Sequence, residues 1–317
     1  MRRGASRVFP WLLLVAACAA RAAPLAIAVS QSASSLPLYV AERHGYFAAE
    51  GVQARIVACG GGASCLRALF DGKAALATAA DFALVASRFE RNDLLLVATY
   101  ATNRDEVKVI VRKRAGIRTP AGLAGKLVGA SAGSFGHYAL DRWLRAHDVD
   151  PQTVALLDLQ PSELAAALRA GEVDAVAVWE PHAWRLVRAF PNEALPLSAS
   201  DGARHGFNLL ATRAAVRGRD ADLAALLRAL GRAERFIAER PRDAQALLRE
   251  RLGLDRRFVH SVWPGYRFEV EAARPALAET LEEQARWLLR EGYAPNKTVP
   301  DFAGLLRAPT GTARSGN

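Results

Sequence analysis

Hydrophobic positions in this chain fall in short blocks with two alternating rhythms. Apolar runs at residues 25–29, 53–58, 75–79, 94–101, 107–112, 126–130, 154–159, 174–178 and 207–212 read as strands, most of them buried on both faces. Between them, apolar residues three and four apart predict helices over 36–44, 66–70 and 163–169. Another helix carries Tyr138, Leu140, Trp143 and Leu144. Gly45, Gly72 and Gly171 stand where helices should stop. Residues 46–52 read as a turn and a short helix end, and everything from Ala221 onward reads as helical, over 221–239, 241–252 and 277–291. The apolar faces of those last helices should pack back on the first half of the chain. Strands alternating with helices predict an α/β fold, whose ligands sit at the carboxyl ends of the strands.

Two stretches echo each other. Ala68-Leu69-Phe70-Asp71-Gly72-Lys73 parallels Ala167-Leu168-Arg169-Ala170-Gly171-Glu172, and each leads into a short apolar strand that delivers an acid, Asp81 or Glu180. The chain therefore reads as two similar α/β lobes. Residues 94–101 and 107–112 lie near the lobe junction, 113–122 reads as a turn-rich crossover into the second lobe, and 207–212 as the returning strand. The expected division is 1–22 leader, 23–112 plus 205–307 first lobe, 113–204 second lobe, and 308–317 a flexible tail rich in Gly, Thr and Ser.

Composition adds a compartment. Residues 1–7 are basic, 8–20 apolar but too short for a membrane span, and Ala20-Arg21-Ala22 supplies small residues at a cleavage site, which together read as a secretory signal peptide. Val15-Ala16-Ala17-Cys18 resembles a bacterial lipobox, so Cys18 is a possible lipidation site. The formal charge is +10, and Arg2, Arg3, Arg7 and Arg21 of the leader account for four of those charges. The remaining arginines are scattered, many beside Glu or Asp, with no basic stripe interleaved with aromatics, so a nucleic-acid partner is not expected.

Candidate chemistry clusters at strand ends. Gln31 and Ser32 lie in the polar loop after the first strand. Gly61, Gly62 and Ser64 open a helix, and the glycines allow close backbone approach to a ligand or simply a turn. Cys59 and Cys65 flank that loop and could be bridged, free or, least readily, metal-bound, since no His cluster accompanies them. Ser131, Ser134 and His137 lie at the start of the second lobe's first helix, where Ser134 is a plausible N-cap and His137 either a surface residue or a contact. Free N–H groups and the helix dipole make both helix starts anion sites. Asp81, Trp179 and Glu180 end the echoed strands, Tyr100 and Asn103 approach the junction, and each has a structural reading beside the ligand one. Neither a Walker loop nor a G-x-G-x-x-G fingerprint is present at the 131–137 loop, and no cofactor or metal is expected.

Three segments resemble the nitrate/sulfonate/taurine family of ABC-transporter solute receptors. Leu38-Tyr39-Val40-Ala41-Glu42-Arg43-His44-Gly45-Tyr46-Phe47 with Glu50-Gly51-Val52 is similar to its A-x-x-x-G-[YF]-F-x-x-x-G-[LV] segment. Leu123-Ala124-Gly125-Lys126-Leu127-Val128-Gly129 with Gly133-Ser134 is similar to L-x-G-K-x-[IV]-G … G-S, and 168–175 with Trp179-Glu180-Pro181 to L-x-x-G-x-[IV]-D-A … W-[ED]-P. Ala75 departs from the pattern, where the family often carries Asp. The resemblance implies a type II periplasmic-binding-protein fold, two α/β lobes joined by two hinge strands and closing on a small organic anion or zwitterion. It further implies a periplasmic monomer, not an enzyme, partnered by a membrane permease and an ATPase. Alternatives are a protein that binds or makes the pyrimidine precursor of thiamine, though the cysteine-rich block of those synthases is absent, or a stand-alone sensor.

Overall fold

The structure, a computed structural model, describes residues 23–271 and 275–305. The leader with Cys18 and the tail 308–317 lie outside those residues. The first half runs β1 (Leu25–Ser30), α1 (Leu36–Arg43), α2 (Tyr46–Ala49), β2 (Ala54–Cys59), α3 (Gly62–Phe70), β3 (Leu76–Ala80), α4 (Asp81–Arg88) and β4 (Leu94–Asn103). The second stretch is β5 (Val107–Arg112), β6 (Leu127–Ala130), α5 (Phe135–Arg145), β7 (Ala155–Asp158), α6 (Leu164–Ala170), β8 (Ala175–Trp179), α7 (His182–Ala189) and β9 (Ala194–Ser198). The chain then returns through β10 (His205–Thr212), α8 (Asp220–Glu239), α9 (Pro241–Leu252), α10 (Arg256–Val262), β11 (Tyr266–Arg267) and α11 (Pro275–Arg290).

The strands form two sheets, ordered β11-β4-β10-β3-β1-β2 and β7-β6-β8-β5-β9. In the first, β1 pairs parallel with β2 and β3, and β10 adds antiparallel to β3. In the second, β6 pairs parallel with β7 and β8, and β5 adds antiparallel to β8. The echoed sequence segments thus occupy equivalent places. All six residues of β1 are buried, as a central parallel strand covered on both faces requires. One core lies under α1, α8, α9 and α10, and a second lies under α3, α4 and α11, on the first sheet. The second sheet is covered by α5 on one face and by α6 and α7 on the other.

Several expectations are corrected. Residues 107–112 were expected in the first lobe, but β5 hydrogen-bonds β8 and β9, so the chain changes sheets at 104–106, not at 113–122. It returns at 199–204. The region after Ala221 is not helical throughout, because β11 pairs with β4 and Glu271 bridges Thr99. A helix and a strand were not anticipated: α4 begins on the strand-end acid itself, and β9 edges the second sheet, while α7 follows Pro181, where one reading of Glu180 was as a helix cap. Helix α3 begins a few residues early, within the expected Gly/Ser loop, whereas α5 begins at Phe135, directly after the Ser134 read as its cap.

Candidate functional site

The carboxyl end of β1 carries a hydroxyl network. Ser30 N donates to Thr78 Oγ1 (2.8 Å), while Ser35 Oγ and Tyr39 OH both donate to the Ser30 carbonyl (2.8 and 2.9 Å). Ser32 Oγ joins it through Ser30 Oγ and Ser34 Oγ (3.1 and 2.6 Å). Tyr100 is fully buried, and that burial is the main cause that raises the pKa of its hydroxyl. Burial pushes the Tyr39 hydroxyl up to about 12, so it stays a neutral donor. Gln31 is exposed, its N–H held by the Cys59 carbonyl (3.1 Å).

Beside that network the β2–α3 corner is stapled. Cys59 and Cys65 form a disulfide with Cα atoms 5.5 Å apart, so neither is a free thiol or a metal ligand. Ser64 Oγ accepts from Gly61 N (3.0 Å) and donates to the Gly61 carbonyl (2.8 Å), so the hydroxyl closes its own turn. Gly62 sits with Ala79 Cα 3.4 Å from where a Cβ would stand, which lays the start of α3 against the end of β3.

The equivalent corner of the second sheet is more committed than sequence suggested. Ser131 Oγ donates to the Leu159 carbonyl (2.8 Å), and Ala132 N donates to Asp158 Oδ1 (2.8 Å). Ser134 is the N-cap of α5, its Oγ accepting from His137 N (3.4 Å). His137 Nδ1 accepts from Gly133 N (3.3 Å), and burial lowers the ring's pKa, keeping it neutral. Its ring stands edge-on to Trp287 (5.0 Å) and Tyr293 (5.7 Å), so His137 packs between elements of both sheets. Gly133 has φ +64° with the Tyr293 ring 2.7 Å from a hypothetical Cβ, a position that admits only glycine.

The strand-end acids are structural first. Asp81 is 2% exposed, and its carboxylate accepts from Gly206 N (2.6 Å) and Asn208 Nδ2 (2.7 Å). Of its two readings, structural and ligand-contacting, the structural one is visible: it pins the start of β10, just after the chain returns to the first sheet. Glu180 Oε2 accepts from Trp184 N (3.0 Å) in the first turn of α7, and burial raises its pKa. Trp179 is half-buried, shared between the two cores of the second sheet, with its ring edge-on to His182. Asn103 is buried and donates to Glu106 Oε2 (2.8 Å), which also accepts from Tyr266 OH (2.9 Å). Glu106 was missed by sequence, where Arg104-Asp105-Glu106 looks like a solvated turn.

The sheets meet around the β3–α4 corner. Phe82, second residue of α4, lies 6.3 Å from Phe135 at the start of α5 and 5.5 Å from Tyr138. Since Gly62 packs on Ala79 at the same corner, the starts of α3 and α5 converge there. Arg142 of α5 pairs with Glu283 of α11 and with Asp201 of the return crossing, and Trp184 packs on Phe258 (5.7 Å). The first-turn N–H groups of Gly62 and Ala63, and of Phe135 and Gly136, have no carbonyl within their own helices. The arrangement can therefore present donors and a positive dipole end from two sheets to one anion. Among the described residues no group of three His, Cys, Asp or Glu could hold a metal, and no helix is long and apolar enough to cross a membrane.

Comparisons with known proteins give a family and a fold. The NMT1/THI5 like model matches residues 32–244. The taurine-binding periplasmic protein of Escherichia coli (strain K12) is 29% identical over 173 residues, 54% of this chain and 53% of that protein. A putative aliphatic sulfonates-binding protein of Bacillus subtilis (strain 168) is 24% identical over 194 residues, 57% of this chain and 58% of that one. The matched stretch thus spans about half the length of these curated relatives. In fold, the periplasmic aliphatic sulphonate binding protein SsuA of Escherichia coli superposes with TM-score 0.78 at 22% identity, covering 90% of this chain and 92% of the other. The alkanesulfonate-binding protein SsuA of Xanthomonas axonopodis pv. citri, bound to MOPS, gives 0.73 at 22% identity, covering 89% and 98%. These likenesses establish the periplasmic-binding-protein fold of two α/β sheets.

Proposed function

We propose a function from one premise, that this chain belongs to the NMT1/THI5-like family. It is the substrate-binding component of an ABC importer, exported to the periplasm, where it captures a small organic sulfonate between its lobes and delivers it to a permease with an ATPase. The observation that supports this reading most is the convergence of two helix starts, α3 and α5, at the β3–α4 corner. A sulfonate is a fixed anion with three acceptor oxygens. It needs several donors and no proton exchange, and each hydrogen bond to a charged group contributes about 1.5–3 kcal/mol. The names of the relatives point to the same ligand class.

The acids narrow the choice. Both Asp81 carboxylate oxygens already accept hydrogen bonds, from Gly206 N and Asn208 Nδ2, so Asp81 serves the fold before any ligand amine. Glu180 is buried with one oxygen on Trp184 N, committed to the start of α7. An ammonium on the ligand is therefore optional, and a plain alkanesulfonate should suffice. Isothermal titration of the exported chain with ethanesulfonate, taurine and nitrate tests this. Both sulfonates should bind at least tenfold more tightly than nitrate. If neither binds, the reading is wrong.

A further inference from the structure

The crossing at 104–106 carries a buried carboxyl that belongs to both sheets. Glu106 is 7% exposed, and its Oε2 takes hydrogen bonds from Asn103 Nδ2 (2.8 Å) and Tyr266 OH (2.9 Å), on β4 and β11 of the first sheet. Its backbone carbonyl accepts from Glu180 N (3.0 Å), at the end of β8 in the second sheet. A bend that parts the sheets turns on this segment, so it cannot leave Glu106 unchanged.

The charges around it do not balance. The Glu180 carboxyl is 9% exposed and raises the pKa of Glu106 electrostatically. Lys108 of β5 opposes this electrostatically, but its Nζ is held by the Asp105 carboxylate and carbonyl. Arg204 of the return crossing donates to Thr102 Oγ1 and the Gly265 carbonyl (both 3.3 Å). With the sheets together, two carboxylates share a dry space with Lys108, whose charge Asp105 already offsets, and this disfavours having both ionised. We propose that Glu106 is the positioning residue for closure, the lobes coming together with uptake of one proton by its carboxyl.

Burial is the main cause that pushes Glu106 up from 4.5 to about 7, with the Glu180 charge adding to it and the Tyr266 and Asn103 bonds opposing it. In an open, hydrated crossing the carboxyl returns toward 4.5. Linkage between those two values makes closure about 70-fold more favourable at pH 5 than at pH 8. Any ligand that binds the closed form loses affinity by the same factor as the pH rises. Nearby histidines cannot mimic this: burial lowers the pKa of His137 and His182, and that of His205 to about 4.

The inference rests on the proposed sulfonate receptor, and its test separates the two. Ethanesulfonate, which does not titrate in this range, is bound to the exported chain at pH 5, 6, 7 and 8. The parent should lose at least tenfold in affinity from pH 5 to 8, with close to one proton taken up on binding near pH 6. Glu106→Gln, which imitates the protonated acid, should be flat within twofold at the parent's low-pH affinity. Glu180→Gln should move the midpoint to lower pH, and Tyr266→Phe, which removes a donor to the charged form, to higher pH. A flat parent profile, or a Glu106→Gln profile as steep as the parent's, overturns the proposal. If ethanesulfonate binds at no pH, the receptor reading has failed instead. The hinge is then read by small-angle scattering of the ligand-free chain. Compaction at pH 5 relative to pH 8 in the parent but not in Glu106→Gln upholds it, and an unchanged parent overturns it.

Discussion

Removing the Asp81 carboxylate should unlatch the strand that brings the chain back to the first sheet. In Asp81→Ala, two donors lose their acceptor: Gly206 N–H (2.6 Å) and Asn208 Nδ2 (2.7 Å). Asn208 is itself fully buried and takes Thr99 Oγ1–H on its Oδ1 (2.7 Å), so its amide is not free to turn to water. An orphaned buried donor costs about 1–3 kcal/mol, so the pair costs about 4 kcal/mol. That is a large part of the roughly 5–15 kcal/mol that holds a protein folded. With a urea dependence of about 3 kcal/mol per molar, the unfolding midpoint should fall by about 1 M. Asp81→Asn keeps one acceptor and should fall about half as far. Gly206→Ala, whose Cβ would stand 2.8 Å from Asp81 Oδ1, should disturb the same latch from the other side. Tryptophan fluorescence in urea gives the midpoints, and hydrogen exchange at residues 205–208 gives the local effect. If Asp81→Ala keeps the parent midpoint and protection but loses ethanesulfonate, Asp81 is a cleft carboxylate and the structural assignment is wrong.

Four further outcomes follow from the same geometry. Glu106 gains proton affinity on folding, so its stabilisation is present below about pH 4.5 and is lost as pH rises through about 7. The difference is about 3 kcal/mol, and urea midpoints of Glu106→Gln should lack it across that window. Replacing both Cys59 and Cys65 by Ser opens a short loop and should cost about 2 kcal/mol in urea unfolding under oxidising conditions, while leaving a reduced sample's midpoint unchanged. Gly133→Ala meets a positive φ and the Tyr293 ring at once and should cost about 2 kcal/mol, with Tyr293→Ala partly restoring it in a double-mutant cycle. Ser134→Ala loses the cap of α5, about 1 kcal/mol, and should weaken ethanesulfonate several-fold in titration because the first turn it orders carries the Phe135 and Gly136 donors.

What the sequence revealed depends on how local the cause was. The buried run of β1 and the paired Gly-stopped helices needed only neighbouring residues, and the echoed segments became matching strand orders in the two sheets. Ser134 could be read as a cap because its partner is three residues away. Helix α4 was hidden because it begins at a residue that looks like a strand's end, Asp81. The apolar spacing of Phe82 and Val85 was the available signal. Asp81 and Glu106 were beyond local reading, since their partners lie 125 and 160 residues away. Strand β11 is two residues long and exists only because β4 offers it an edge.

The central claim is that an anion is held between helix starts of both lobes. A crystal of the exported chain grown with 2-bromoethanesulfonate tests it directly, since bromine marks the ligand by anomalous scattering. The account predicts one peak between the lobes, with sulfonate oxygens within hydrogen-bond reach, about 3 Å, of first-turn N–H groups at Gly62–Ala63 and at Phe135–Gly136. A ligand seated on one lobe alone, or outside the β3–α4 corner, would contradict it.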